Sequence, residues 1–386
     1  MASEDSTTRR ASGPHPSGET PKLRALVVDD SAYNRQTITA MLESLPDVEV
    51  VGRAMNGKEA LRLVFDLAPD VITLDLEMPE MDGFAFLRLL MNKRPTPVLV
   101  VSGYAQRENV FRALELGALD FLAKPTRDVS PDLKNIKQEL LAKISLVRKL
   151  QAVRLRDRAR SLAAVVGQAV GAIEIEAAAS LEGPAPVGVI AVAASTGGPP
   201  AVQQLLCGLP KELPLAVLVA QHMPARFTRA FADRLDKIVD LRVIEAEDGQ
   251  SLSAGTVYVA PGSANVEVVA PSETGAAPQI RVVPVDRAAL SRVITPSADH
   301  LFKSLAGHYG RRLCTVILTG MGSDGRLGAI AARNAGGRVL AEDPDTAVMP
   351  GMPYSVIEAG VVDQVLPLEQ IAAALIEFGR RCTDAE

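Results

Sequence analysis

Short apolar runs alternate with longer segments of helical periodicity along most of the chain. Between residues 23 and 125 the apolar runs are LRALVV, VEVVGRA, DVITLDL, PVLVVSG and LDFLAKP, and amphipathic segments such as GKEALRLVFDL separate them. A second series begins at residue 187, with VGVIAVAAS, LAVLVAQH, TVYVAPG, IRVVPV, CTVILTG and GRVLAED. Strands that alternate with helices form parallel sheets covered by helices. The pattern therefore predicts two α/β domains.

Stretches of different composition flank these two regions. Residues 1–21 are rich in Ser, Thr, Pro and Gly and are predicted to form a disordered tail. Residues 131–160 form a basic amphipathic stretch, which we interpret as the last helix of the first domain running on into a linker. An Ala- and Gly-rich segment ending in GPAP follows. The predicted boundaries are 22–148 for the first domain, 149–184 for the linker and 185–384 for the second domain.

Composition narrows the class of function. The 386 residues carry a net charge of −5, only 4% aromatic residues and no Trp, which argues against a nucleic-acid binder. No apolar run approaches the ~20 residues that span a bilayer, and the N-terminus lacks the apolar core of a signal peptide. The three cysteines have no metal-binding spacing. We therefore expect a soluble cytoplasmic protein without membrane insertion.

Carboxylates close two strands of the first region. Asp29 and Asp30 follow the first strand and Asp75 follows the third. In a doubly wound parallel sheet of order 2-1-3-4-5, strands one and three are neighbours, so the three side chains meet at the carboxyl edge. Three carboxylates so close together need a cation, and their oxygens suit Mg²⁺. Asp75 is then the expected nucleophile toward a phosphoryl donor.

Two more polar residues follow the last two strands of this region. Ser102 ends the fourth strand and Lys124 the fifth, where a hydroxyl and an ammonium group can each bind a phosphoryl oxygen. This set of strand-end residues, with MPEMDG after Asp75, resembles the response-regulator receiver family over residues 22–148. The resemblance implies a five-stranded flavodoxin-like fold, phosphorylation of Asp75 by a histidine kinase, and Phe121 as the aromatic switch residue.

Three strand ends of the second region carry a serine, a histidine and an aspartate. Ser195 follows VGVIAVAA and opens a glycine turn into a helix, so it is either a nucleophile or only a helix N-cap. His222 is the one histidine of four at a strand end, and Asp324 lies in the turn GMGSDG. Together they offer the nucleophile, base and orienting carboxylate of acyl transfer. A phosphate-binding loop is disfavoured because GxGxxG is absent.

The order Ser, His, Asp differs from that of α/β-hydrolases, and AASTGG is not GxSxG. The motifs ASTGGP, QHMP, APG, TPSAD and LTGMGSDG behind a receiver resemble the chemotaxis protein-glutamate methylesterase (CheB-type) family. The resemblance implies a Rossmann-like α/β catalytic domain with a mostly parallel sheet. It also implies a Ser195–His222–Asp324 triad that hydrolyses glutamate methyl esters and deamidates glutamines without a cofactor, with the Met321 N–H binding the oxyanion.

The same resemblance implies regulation and partners. The unphosphorylated receiver is expected to cover the esterase site, and the substrates are expected to be the methylation helices of chemoreceptors. Two positions depart from the family's usual pattern, namely Asn265, near which a His is common, and Tyr354, where Arg is usual. We hypothesise that Tyr354 indicates a different receptor or a different coupling between the domains. Ser297 and Asp299 are interpreted as helix-capping residues.

Three alternatives remain at this stage. A receptor-docking scaffold without catalysis would explain the receiver but not the Ser, His and Asp motifs. A transcription regulator would need a basic helix-turn-helix domain, and the second region has strands and glycine turns instead. The third alternative is the same esterase chemistry on a non-chemotactic receptor, and the sequence does not distinguish it from esterase chemistry on chemoreceptors.

Overall fold

The computed structural model describes residues 21–102, 107–124, 132–147, 183–270, 278–285 and 294–384. Apart from their last residues, the predicted tail (1–21) and linker (149–184) lie outside these ranges. Within the described residues, no helix has the length and apolar character needed to cross a membrane.

The first domain contains a parallel sheet of five strands in the order β2-β1-β3-β4-β5, as the sequence predicts. The strands are β1 (Leu23–Val28), β2 (Val48–Ala54), β3 (Val71–Leu74), β4 (Val98–Ser102) and β5 (Asp120–Ala123). The helices are α1 (Ala32–Leu42), α2 (Gly57–Leu67), α3 (Gly83–Lys93), α4 (Arg107–Glu115) and α5 (Asp132–Val147). All four residues of β3 are buried, as expected for a strand covered on both faces.

Polar residues at the helix starts fix where the first three helices begin. The side chains of Ser31, Asn56 and Asp82 each accept a hydrogen bond from the backbone N–H three residues on. Each bond satisfies one of the N–H groups that a helix leaves unpaired at its start. The loop after β1 therefore turns into α1 directly after Asp29 and Asp30, whereas Asp82 starts α3 at the end of the longer loop that follows Asp75.

The second domain contains a seven-stranded sheet in the order β14-β13-β12-β6-β7-β9-β8, with every neighbouring pair parallel. Its strands are β6 (Gly188–Ala194), β7 (Leu215–Gln221), β8 (Arg242–Glu245), β9 (Thr256–Val259), β12 (Leu313–Ile317), β13 (Arg338–Glu342) and β14 (Gln364–Leu366). Its helices are α6 (Gly198–Cys207), α7 (Ala225–Asp236), α8 (Ala298–Tyr309), α9 (Arg326–Asn334), α10 (Gly351–Glu358) and α11 (Leu368–Asp384). The expectation of a mostly parallel α/β sheet is confirmed.

A separate two-stranded hairpin stands apart from this sheet. It consists of β10 (Ala264–Val269) and β11 (Gln279–Pro284), which are antiparallel. The apolar run IRVVPV predicted β11, whereas β10 was not predicted from the sequence. Residues of β10 alternate between buried and half-buried, because one face packs on the core while the other is open.

The strand order reverses around β6. The chain passes from β6 to β7 on one side, and β12 pairs with β6 on the other. Such a reversal leaves a crevice at the carboxyl ends of the central strands. The residues that follow β6, β7 and β12 therefore meet at this edge.

Candidate active site and phosphorylation site

The backbone around Ser195 is held by several hydrogen bonds. Its N–H donates to the carbonyl of Thr319 (3.0 Å), and its carbonyl accepts from the N–H of Gly198 (2.7 Å) and from Nε2 of Gln221 (2.9 Å). Helix α6 begins with Gly197 as its N-cap, without any side-chain capping bond. Ser195 is therefore not the N-cap of this helix, and the capping alternative is wrong.

His222 lies beside Ser195 because β6 and β7 are in register. Ala194 pairs with Gln221, and the N–H of His222 donates to the carbonyl of Ala194 (2.9 Å). The ring atom Nε2 of His222 lies 2.8 Å from Oδ2 of Asp324. Nδ1 is then the ring nitrogen left for a second partner. Within the described residues, no hydrogen bond joins the Ser195 hydroxyl to the imidazole.

Asp324 accepts hydrogen bonds at the start of α8 as well as from His222. The donors are the Ser297 hydroxyl (3.0 Å), the Ala298 N–H (2.7 Å) and the Asp299 N–H (3.0 Å). Burial acts to raise the pKa of Asp324, but the hydrogen bond and charge of His222, together with these backbone donors, hold it below the usual value. The carboxylate is therefore ionised at neutral pH and able to stabilise an imidazolium.

Asp324 is supported by residues that the sequence pattern did not connect with it. Ser297 is the N-cap of α8, as predicted, and its hydroxyl also donates to Asp324. Oδ1 of Asn265, from β10, accepts the N–H of Ser297 (2.9 Å), so the hairpin braces the same turn. Asp299 instead accepts the N–H of Gly328 (2.7 Å), and its own burial raises its pKa. The capping signature of TPSAD was visible in the sequence, but its contact with Asp324 was not.

Met321 lies in the turn after β12, next to Ser195. A side chain on the preceding Gly320 would place its Cβ 2.8 Å from Cβ of Ser195, so only glycine allows this approach. Within the described part of the chain, the backbone N–H groups of Met321 and Thr196 have no hydrogen-bond partner. Two donors are thus free near the serine, as an oxyanion site requires.

The carboxylates of the first domain meet as the sequence predicts. Oxygen atoms of Asp29, Asp30 and Asp75 lie within 4.8 Å of one another. Nζ of Lys124 lies 2.5 Å from Oδ2 of Asp75 and 3.2 Å from Oδ2 of Asp29. A cluster of oxygen donors with a half-open side suits Mg²⁺. Ser102 ends β4 at the same edge, but its side chain lies outside the described part of the structure.

Burial shifts the pKa values of the side chains in this cluster. It raises the pKa of Asp75 to about 6, against the opposing effect of the hydrogen bond and charge of Lys124. Burial acts to lower the pKa of Lys124, but its hydrogen bond and charge interaction with Asp75 leave the pKa above its usual value. Asp75 is thus ionised at neutral pH while remaining almost fully enclosed.

Aromatic side chains join the two domains. Phe121, the predicted switch residue, is buried with its ring centroid 4.6 Å from that of Phe227 in α7. Phe111 stacks on Phe231 at 5.4 Å. The ring of Phe121 therefore lies in the contact between the domains, and a change in its position would alter its packing against α7.

A polar contact between the domains reaches the residue after Ser195. The hydroxyl of Thr196 donates to Oδ2 of Asp120 in β5 (2.7 Å), and both residues are buried. Nζ of Lys143 in α5 lies 2.8 Å from the same oxygen. Burial acts to lower the pKa of Lys143. The charge of Asp120, followed in size by that of Glu139, outweighs this effect and leaves the pKa above its usual value. Thr196 is thus bonded to a charged pair of the other domain.

The turn that contains Met321 also contacts the first domain. Val348 and Met349, in the segment before α10, lie in one apolar cluster with residues of β1, β4, β5 and α5, and Met321 packs against it. Arg234 of α7 forms an ion pair with Glu115 of α4, between the same two helices as the Phe111–Phe231 stack. The first domain therefore packs directly beside the Ser195 edge of the second sheet.

Comparison with known proteins gives a consistent picture. Residues 190–375 match the model of the CheB methylesterase family, and residues 25–132 match that of the response regulator receiver domain. "Protein-glutamate methylesterase/protein-glutamine glutaminase 3" of Geobacter sulfurreducens is 44% identical over 92% of this chain and 97% of its own. The enzyme of this type numbered 1 in Myxococcus xanthus is 47% identical over 93% and 98%.

Among solved structures, the CheB methylesterase catalytic domain of Thermotoga maritima is 39% identical, with a TM-score of 0.46, and covers 49% of this chain and 97% of its own. The identity to the curated relatives extends over nearly the whole chain and includes both domains. The chain belongs to the family of CheB methylesterases that carry a response regulator receiver domain.

Proposed function

We propose that this protein hydrolyses glutamate methyl esters on chemoreceptors, releasing methanol, and deamidates glutamine side chains there. The observation that carries the proposal is the His222–Asp324 pair at 2.8 Å, placed beside Ser195 by the register of two strands. The catalytic domain is assigned to residues 185–384, behind a receiver of residues 22–148 and a linker of residues 149–184. The chemistry acts in the cytoplasm, where receptor methylation helices lie.

The triad supplies the proton transfers of acyl transfer. Nδ1 of His222 takes the hydroxyl proton of Ser195 as its oxygen attacks the γ-carbonyl carbon. Asp324, bonded to Nε2, keeps the imidazole in the tautomer with its lone pair on Nδ1 and stabilises the imidazolium. His222 then returns the proton to methoxide as methanol leaves. Water hydrolyses the acyl-enzyme by the same sequence.

Backbone donors stabilise the negative charge that develops on the carbonyl oxygen. The N–H of Met321 is assigned to this role, and the N–H of Thr196 is a second donor at the start of α6. A glutamine amide would pass through the same steps and release ammonia. The proposed mechanism uses no metal: Ser195 and His222 carry the proton transfers, and Asp324 and the backbone N–H groups stabilise the charges that develop.

The receiver is proposed to accept a phosphoryl group on Asp75 from a histidine kinase. Asp29, Asp30 and Asp75 would hold Mg²⁺, which supplies positive charge beside the transferring phosphoryl group. Lys124 would move its ammonium group from the Asp75 carboxylate to a phosphoryl oxygen, and Ser102 would donate a hydrogen bond to another. Asp75 attacks the phosphorus through a carboxylate oxygen, and the kinase histidine leaves.

Phosphorylation is proposed to release the receiver from the esterase site. The contacts that would be lost are those of Phe121 with Phe227 and of Asp120 with Thr196. Because Thr196 directly follows Ser195 and Met321 packs on the apolar cluster shared with the receiver, the described arrangement is assigned to the closed state. A ligand or modification shifts such an equilibrium only by its differential stabilisation of the two states.

The test is methanol release from a methylated receptor cytoplasmic fragment by the full chain and by Ser195→Ala. We expect release by the unmodified chain and none above background by the variant, with the same circular dichroism spectrum for both. Gln203→Ala serves as a control, because Gln203 lies in α6, the helix that follows Ser195, but has no role in the mechanism. Equal release by the Ser195 variant would refute the mechanism, and the absence of release by both would favour a docking scaffold.

A further inference from the structure

We infer that Thr319 is a positioning residue for Ser195, through a hydroxyl that joins the nucleophile turn to the segment contacted by the receiver. The inference rests on the proposed esterase function. Thr319 is fully buried, two residues beyond β12, and it takes no part in the proton transfers. Its contacts nevertheless reach both sides of the nucleophile.

The hydroxyl of Thr319 uses both its donor and its acceptor capacity. It donates to the carbonyl of Thr196 (2.9 Å) and accepts the N–H of Met349 (2.8 Å). The Thr319 carbonyl accepts the N–H of Ser195 (3.0 Å). Thr319 therefore holds the peptide group before Ser195 through its carbonyl and the peptide group between Thr196 and Gly197 through its hydroxyl. These two bonds flank Ser195 and restrict the backbone that carries its side chain.

A buried carboxylate anchors Thr319 in turn. The N–H of Thr319 donates to Oε2 of Glu342 in β13 (2.7 Å), and Glu342 has no exposed surface. Thr319 is thus held from β13 while it holds the turn after β6.

The hydroxyl also connects the nucleophile to the interface between the domains. Met349, whose N–H it accepts, lies in the apolar cluster shared with the receiver. A displacement of the segment around Met349 would change the bond that Thr319 makes with it and thereby the position of the Thr196 carbonyl. Small misplacements of a nucleophile lower the rate of the chemical step far more than the binding of substrate.

The experiment compares Thr319→Val with Thr319→Ser and with Thr315→Val in the full chain. Valine keeps the branched shape and removes the hydroxyl, whereas serine keeps the hydroxyl. Thr315 is an equally buried threonine of β12 whose hydroxyl donates to the carbonyl of Arg338 (3.2 Å), away from the site. Its variant therefore loses a buried hydroxyl bond of the same kind without affecting Ser195.

Two readouts are measured with a small phosphodonor and Mg²⁺ present. One is the hydrolysis of a chromogenic ester, and the other is the rate at which a fluorophosphonate labels Ser195. For Thr319→Val we expect kcat and the labelling rate to fall by about 10- to 100-fold, with KM changed less than about twofold. Thr319→Ser is expected to recover most of both rates, and Thr315→Val to stay within about twofold of the unmodified chain.

Several results would overturn the inference. Equal losses in Thr319→Val and Thr315→Val would reduce the effect to general destabilisation, which the melting temperatures of both variants would reveal. An unchanged labelling rate in Thr319→Val would exclude a role in positioning Ser195. If the unmodified chain is neither labelled nor active, the proposed function itself fails, and that outcome is distinct from a failure confined to Thr319.

Discussion

Replacing Thr196 by valine should raise the activity of the unphosphorylated protein. The substitution removes a buried hydrogen bond of 2.7 Å to the Asp120 carboxylate and keeps the shape of the side chain. Bonds to charged groups contribute about 1.5–3 kcal/mol. Because Lys143 still pairs with Asp120, the stability that the closed state loses should lie at the lower end of this range, about 1.5 kcal/mol. This loss shifts the equilibrium between the closed and open states by about tenfold.

The assay is the initial rate of methanol release with and without a small phosphodonor. We expect the basal rate of Thr196→Val to rise by up to about tenfold, and the ratio of stimulated to basal rate to fall by the same factor. Asp120→Ala removes the same bond from the receiver side together with the pair to Lys143, so adding Thr196→Val to Asp120→Ala should raise the basal rate no further.

Glu139→Gln is the matched control for this experiment. It removes another carboxylate that contacts Lys143 (3.1 Å) and leaves the bond between Thr196 and Asp120 in place. Its basal rate should match that of the unmodified chain. A basal rate unchanged in both Thr196→Val and Asp120→Ala would refute the claim that this bond helps to hold the receiver closed.

Three further predictions concern other parts of the molecule. Asp324→Asn should lower kcat by about 10⁴-fold, because the amide stabilises neither the required tautomer nor the imidazolium, and a loss below tenfold in methanol release would contradict this role. Burial raises the pKa of Asp75 to about 6, and protons compete with Mg²⁺ for its carboxylate. The Mg²⁺ affinity should therefore fall about tenfold per pH unit below pH 6, and a titration giving equal affinities at pH 5 and 7.5 would disprove this prediction. Arg234→Ala breaks the half-buried pair with Glu115 and should raise basal methanol release by less than Thr196→Val does. An unchanged basal rate would show that this ion pair does not stabilise the closed state.

Residues at strand ends were predictable because of the geometry of parallel sheets. Asp29 and Asp75 follow neighbouring strands, which the strand order 2-1-3-4-5 predicted, and Ser195 and His222 follow strands that end at one carboxyl edge, as expected for a parallel sheet. Asp324 follows a third strand at the same edge, and it pairs with His222 in the structure. The fold class followed from the same alternation of strands and helices.

Contacts that depend on packing between distant segments could not be predicted from the pattern. The bond from Thr196 to Asp120 joins residues of two domains, and neither residue carries a sequence signal that names its partner. The bracing of Ser297 by Asn265 depends on a hairpin whose first strand, ANVEVV, is short and does not indicate the turn that it contacts. The proposed positioning role of Thr319 could not be predicted, because a buried threonine near a strand end is compatible with simple packing.

The most direct test of the account is methanol release from a methylated receptor fragment with Mg²⁺, measured with and without a small phosphodonor. The unmodified chain is expected to release methanol slowly alone and faster with the donor, and Asp75→Asn is expected to stay at the slow rate in both conditions. Release that is equally fast with and without the donor would contradict the control of Ser195 by the receiver. No release in either condition would contradict the esterase itself.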